Sequence, residues 1–163
     1  MENISMIAAI GKNNELGKDN DLIWRFHEDM QFFEKNTIDK TIVMGMNTLK
    51  SLPELLPRRK HVVLTRNAPI NLSPKVEVIS SIDDLLEYID SKKDEIMIIG
   101  GASVYKQMLE YANKLILTEI EATCAEADAY FPEFDKCKWN SELVGECEEK
   151  NTKFKHLVYT RKK

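Results

Sequence analysis

The chain has 163 residues, 43% of them hydrophobic, with 23 Lys and Arg against 27 Asp and Glu for a formal net charge of −4. This length fits one domain, and such a chain hides roughly 70% of the surface its unfolded form exposes, which excludes disorder and disulfide-stapled miniature folds. Mild acidity with no long block of like charge also argues against a nucleic-acid binder.

The first nine residues hold Glu2 and only a short apolar run before Gly11-Lys12, neither a signal peptide nor a membrane span. Cys124, Cys137 and Cys147 are too widely spaced for a zinc site and read as thiols in a reducing compartment. The expected location is therefore the cytoplasm. Residues 4–10 form an apolar run without helical period, a buried strand feeding a long polar loop over 11–21. A helix follows over 27–36, with Met30, Phe32 and Phe33 on its apolar face. Strand 41–44 ends at Gly45, a short helix over 47–52 stops at Pro53, and residues 60–65 and 76–79 are strands. Ser81 is placed to cap a helix over 82–89, with Asp83 and Asp84 in its first turn where the helix dipole favours them. Strand 95–99 breaks at Gly100-Gly101, a helix covers 104–112, and residues 115–120 are a strand. Residues 139–146 and 154–161 pair as an antiparallel hairpin about a charged turn at 148–152.

This alternation predicts an α/β fold: one domain over 1–163, a mostly parallel central sheet of about eight strands with a C-terminal antiparallel hairpin, and about four flanking helices. Ligands of such sheets bind off the carboxyl ends of the strands.

Several motifs fail on inspection. The stretch 11–18 has the wrong glycine spacing for a phosphate loop and puts Asp19 where Ser or Thr must hold magnesium. His27-Glu28 lacks the second histidine of a zinc protease at position 31, and Asp19 with Asp21 lacks the rest of a calcium loop. No metal site is expected. His27, His61 and His156 stand beside no evident nucleophile, which leaves hydrolytic chemistry unsupported. Gly100-Gly101-Ala102 is either a tight strand-to-helix turn or a place where a ligand anion approaches bare backbone. Asp29, one helical turn before Phe33 and just after Leu22 and Trp24, is either an ordinary exposed residue or a carboxylate waiting for a hydrogen-bonding ligand. Arg58-Arg59-Lys60 and Arg66 are solvated turn residues, or one of them grips a carboxylate or phosphate.

Taken together, Ile7-Ala8-Ala9, Leu22-Ile23-Trp24, Asp29-Met30 to Phe33, Met44-Gly45, Pro57 to Lys60, Ile98 to Tyr105 and Asp128 to Pro132 resemble the dihydrofolate reductase family in type, order and spacing over essentially the whole chain. The resemblance implies hydride transfer from NADPH to C6 of 7,8-dihydrofolate, with water carrying a proton to N5 because Asp29 lies too far away. In that role Asp29 binds the 2-amino group and ring N3 of the pterin, acting chiefly by charge in a low-dielectric pocket, with Thr118 supporting it directly and Trp24 through water. Leu22 belongs to the loop, 17–22, that closes over the nicotinamide. Substrate walls are implied at Ile7, Ala8, Met30, Phe33, Leu52 and Ile99, with Tyr105 forming the floor beside the nicotinamide, and Arg59 forks onto the glutamate tail. Cofactor contacts are implied at Ala9, Gly17, Lys18, Gly45, Met46, Asn47 and Thr48, at Leu64 and Thr65, and at Gly100, Gly101, Ala102, Ser103 and Val104. Gly100-Gly101 is implied to be a cis peptide.

The chain departs from the family pattern where Met46 and Ser103 replace arginines at the cofactor phosphates, Ile23 replaces a proline and Leu49 a tryptophan. Arg66 is the candidate for the 2′-phosphate. Implied partners are dihydrofolate and antifolate-type molecules, with no nucleic acid or membrane, in a monomeric enzyme of one-carbon metabolism. The rival readings are a same-fold pyrimidine reductase of flavin synthesis, which lacks the Trp-to-Asp arrangement, and a non-catalytic nucleotide-binding module.

Overall fold

The computed structural model describes residues 3–19 and 21–163. Chain order gives β1 (Ile4–Ile10), β2 (Glu15–Lys18), β3 (Asp21–Leu22), α1 (His27–Thr37), β4 (Thr41–Gly45), α2 (Met46–Ser51), β5 (Lys60–Leu64) and β6 (Val76–Ile79). These are followed by α3 (Ile82–Asp90), β7 (Ile96–Gly100), α4 (Ala102–Met108), β8 (Lys114–Ile120), β9 (Ala129–Tyr130), β10 (Trp139–Glu149) and β11 (Thr152–Arg161), with single 3-10 turns at Leu109–Tyr111 and Lys136–Lys138.

Eight strands form one sheet in the order β10-β11-β8-β1-β7-β4-β5-β6. The pairs from β8 through to β6 are parallel, and β11 joins β8, and β10 joins β11, antiparallel. Strand alternation sorts the apolar residues onto two faces. Val43, Ile96 and Ile98 pack with Leu85 and Ile89 of α3 and Val104 and Met108 of α4. Ile42, Met44 and Met97 face the other way, toward Leu49 of α2 and Phe32 and Phe33 of α1. Both faces are covered, which is why β7 reads as an unbroken apolar run and β1 as one interrupted only by Ser5. Leu85 and Ile89 are fully buried, each contributing roughly 1.5–3 kcal/mol. The expected Ser81 cap is present: its hydroxyl accepts the Asp84 N–H at 3.1 Å. No helix among the described residues is long and apolar enough to cross a membrane.

Three boundaries differ from expectation. Residues 11–21, expected as loop, contain β2 and β3, which with β9 form a second, three-stranded sheet; Asn20, and Met1 and Glu2 of the N-terminal segment, lie outside the described residues. The strand signal is hidden because the inward residue of β2 is a carboxylate: Glu15 is 1% exposed. The helix expected from 104 starts at Ala102 and tightens into the 3-10 turn at Leu109, since glycine suits the turn into a helix as well as it breaks one. The hairpin arms run longer, leaving only Lys150 and Asn151 as the turn, both at positive φ (52° and 63°) as a two-residue reverse turn of matching twist requires.

Candidate active site

The order of strands within the sheet places β7 between β1 and β4, so the segments leaving these strands diverge and open a cleft above their carboxyl ends. The cleft has a volume of about 1740 Å³, larger than one small molecule needs. All the site residues expected from the sequence line it except Trp24. Trp24 packs instead with Phe26, Ile120 and Phe154 behind the wall.

One end is organised around Asp29, in the first turn of α1. That helix has no side-chain cap of its own; the N–H groups of His27 and Glu28 donate to Glu149 at 2.8 and 2.9 Å, so the end of β10 fixes the turn that carries Asp29. The Asp29 side chain is 15% exposed. Thr118 on β8 donates its hydroxyl to Oδ1 at 2.5 Å, while Oδ2 receives no hydrogen bond from the described residues. Ile7, Phe33, Leu52 and Ile99 supply apolar walls, and Leu22 and Met30 stand at the mouth, 47% and 45% exposed. A carboxylate so placed favours a flat ligand presenting N–H donors and disfavours an apolar one.

Three adjacent cations are sorted by their partners. Arg58 spends its fork on Asp39, and Lys60 pairs with Glu77. Arg59 turns into the cleft, held by Thr37 Oγ1 at 3.0 Å and the Pro57 carbonyl at 3.2 Å, with no carboxylate on its guanidinium among the described residues. His61 braces this segment: its Nε2 accepts the Leu56 N–H at 3.0 Å, its Nδ1 lies 3.1 Å from the Arg59 carbonyl, and burial holds its pKa below the usual imidazole value.

The other end is mostly main chain. Gly45 ends β4 and enters α2, Gly101 enters α4, and neither helix is capped by a side chain. Gly100 adopts φ 132°, a conformation side chains avoid, and its bond to Gly101 is cis. A Cβ on either glycine would stand 3.4 Å from the Thr48 hydroxyl. Tyr105 braces the turn from below: it is buried, its hydroxyl donates to the Ile7 carbonyl at 2.6 Å, and desolvation pushes its pKa far up, so it stays a neutral donor. Beyond β5, Arg66 is exposed at the cleft and carries no ion pair among the described residues.

The small sheet roofs the cleft. Gly17 and Lys18 of β2 and Leu22 of β3 line it, a Cβ on Gly17 would meet the Asp21 carbonyl at 2.5 Å, and Lys18 pairs with Glu126. Asp19 donates its N–H to Asp128 Oδ2 at 3.0 Å, and Asp128 donates its own to the Gly17 carbonyl at 3.0 Å. Glu15 anchors the root: its carboxylate accepts the N–H groups of Asn13 and Cys124 at 2.7 and 2.6 Å. Burial alone would raise its pKa, but these bonds outweigh it and hold it below the ordinary value.

Sequence reasoning missed Phe32, Leu56, Ser80, Ser81, Asp83 and Gln107 on the cleft wall. It also missed His156, whose Nε2 lies 3.3 Å from Asp29 Oδ1. Ser80, Ser81 and Asp83 follow β6 at its carboxyl end, a position that the rule for parallel sheets marks. Nothing in the local sequence marks His156.

A family model described as dihydrofolate reductase matches residues 3–162. The chain is 39% identical over 162 residues to dihydrofolate reductase of Bacillus subtilis (strain 168), covering 98% of this chain and 95% of that protein. It is 43% identical over 160 residues to dihydrofolate reductase of Buchnera aphidicola subsp. Acyrthosiphon pisum, covering 96% and 94%. Among solved structures, dihydrofolate reductase from Enterococcus faecalis complexed with NADP(H) and RAB-propyl superposes with a TM-score of 0.84 at 31% identity, covering 98% of this chain and 96% of that one.

Proposed function

The chain belongs to the dihydrofolate reductase family, and from that premise we propose that it reduces 7,8-dihydrofolate to 5,6,7,8-tetrahydrofolate with NADPH. The observation that carries this reading is the Asp29 carboxylate, held on one oxygen by Thr118 and with no donor on the other among the described residues, at the apolar end of a cleft whose far end is bare glycine backbone.

The Asp29 carboxylate accepts the 2-amino and ring N3 hydrogens of the pterin and fixes the face it presents. The negative charge, in a site of low dielectric, favours the protonated ring, so Asp29 acts by electrostatic preorganisation while water delivers the proton to N5. Ile7, Ala8, Met30, Phe33, Leu52 and Ile99 enclose the rings and exclude bulk water, Leu22 closes over them, and Arg59 grips the glutamate tail. Trp24 acts through an ordered water, from behind the wall.

The glycine end fits a dinucleotide: Gly100 and Gly101 leave room against Thr48, and Gly45 against Val104, that a side chain would fill, and Arg66 is an exposed cation with no ion pair among the described residues. When bound, NADPH supplies the hydride that reaches C6. Ala9, Gly17, Lys18, Asn47 and Ala102 to Val104 position it, Tyr105 supports the nicotinamide, and Leu64, Thr65 and Arg66 take the adenosine end. Met46 and Ser103 bring no charge there, which leaves the 2′-phosphate to Arg66. The protein works as a cytoplasmic monomer of one domain, and antifolate-type molecules compete for the Asp29 end.

The test follows the near-ultraviolet absorbance of reduced nicotinamide on mixing protein, NADPH and dihydrofolate. Loss of signal that requires dihydrofolate is expected. No loss, or equal loss without dihydrofolate, would overturn the reading.

A further inference from the structure

We infer that His156 is a positioning residue for Asp29: its imidazole is placed to donate to Oδ1, the oxygen that Thr118 also holds, so that the pair orients the carboxylate and sets the pH range of the reaction. This rests on the role of Asp29 proposed above.

β11 runs antiparallel to β8 with His156 opposite Thr118, so both side chains leave the same face of the sheet toward α1. The imidazole is 6% exposed and lies flat on Phe32, ring centroids 3.8 Å apart and planes 8° from parallel, with Phe154 tilted against it at 5.7 Å. Phe32 stands three residues beyond Asp29, so one helix carries both the carboxylate and the plate that holds its neighbour's ring. Nε2 is sealed from solvent and makes no hydrogen bond of good alignment, yet lies 3.3 Å from Asp29 Oδ1. A buried ring nitrogen is costly without a partner, and this carboxylate is the polar group placed to supply one; a small rotation of either group completes the bond. The opposite edge of the ring borders bare backbone at the irregularity in β10, where a Cβ on Gly145 would stand 3.5 Å from Nδ1.

Around the ring, α1 brings Asp29 and, beside it, Glu28; β8 brings the neutral Thr118. From β10 comes Cys147, whose thiol is pushed up by burial and by the carboxylates of Glu28, Glu149 and Asp29, so it is uncharged at neutral pH. Lys155 and Leu157, neighbours of His156 in β11, point to the opposite face by strand alternation.

An N–H donor at Nε2, in the neutral tautomer or the imidazolium, gives the charged carboxylate of Asp29 a second hydrogen bond on the oxygen that Thr118 also holds. Removing the donor leaves Thr118 alone, and replacing Asp29 leaves the ring nitrogen without its acceptor.

The experiment has two arms. The first records dihydrofolate-dependent NADPH oxidation from about pH 5 to 9 for wild type, His156→Phe and His156→Gln, with thermal midpoints as the check on folding. His156→Phe is expected to move the apparent pKa of the profile upward by about one unit, and His156→Gln, which keeps an N–H within reach of Oδ1, to restore it toward wild type. The second arm titrates the His156 ring protons by NMR without ligand in wild type and Asp29→Asn, assigned by their loss in His156→Gln. The ring is expected to titrate at higher pH in wild type. A His156→Phe profile that superimposes on wild type, or a ring titration unaffected by Asp29→Asn, overturns the inference. If His156→Phe does not fold, the ring titration decides alone. Absence of any dihydrofolate-dependent activity in wild type overturns the proposed function instead, and the ring titration still decides whether the two groups are coupled.

Discussion

At one end of the cleft a single carboxylate stands among apolar walls, oriented by Thr118 and by the helix that Glu149 caps. At the other, the wall is main chain at Gly45, Gly100 and Gly101, and Arg66 stands at the rim with no ion pair among the described residues. The difference teaches where each end is vulnerable. Recognition by one side chain is lost with that side chain, whereas recognition by backbone survives most substitutions and is tuned by the charges around it.

The sharpest way to break the comparison is Asp29→Asn. It keeps the shape and removes the charge, and is expected to lower kcat at neutral pH by about 100-fold or more, with partial recovery in acid where more substrate is already protonated. Steady-state kinetics across pH checks it; unchanged turnover at neutral pH would mean that the two ends do not differ in this way. Next is Arg59→Ala, expected to raise KM for dihydrofolate by about 10–100-fold, the scale of a charged hydrogen-bonded pair. The same variant assayed with a reducible pterin lacking the glutamate tail is expected to match wild type, which places the loss at the tail. Arg66→Ala comes third: an increase of about 10-fold in KM for NADPH and little for NADH, measured side by side, assigns the rim charge to the 2′-phosphate. Equal effects on both cofactors would remove Arg66 from that role.

The smallest effect is on the roof, which both ends share. Glu15 has its pKa below the ordinary 4.5, so the stability it adds is fully present above that value and is lost as pH falls through its folded pKa. Glu15→Gln is expected to cost about 1–2 kcal/mol at neutral pH, a few degrees in Tm, with the gap from wild type closing in acid. Thermal melts at neutral and acid pH measure it, and a gap that widens in acid would contradict the assignment.

Much of this was legible before any coordinates. The buried strands at β1, β4, β7 and β8 are apolar on both faces, the Ser81 cap is a local signal, and the hairpin is visible as two extended runs about a polar turn. Almost every site residue that the family resemblance named lies on the cleft wall. Trp24 is the exception, because spacing shows that it lies near Asp29 but not which side of the wall it packs against. The roof reads as loop in the sequence for a related reason: a strand whose inward group is a carboxylate has no apolar alternation to detect.

The amino-acid sequence by itself determined what depends on near neighbours along the chain: which runs are buried strands, where helices begin, which glycines interrupt them, and the order of motifs that identifies the family. Tertiary structure decided which of Arg58 and Arg59 turns into the cleft, what Glu15 holds, and that His156, a histidine without local distinction, comes to rest against Asp29 from the far end of the chain. Those outcomes follow from strand register and from how the sheet closes over its helices, and contacts between residues from 19 to more than a hundred positions apart leave no period or spacing in a linear sequence.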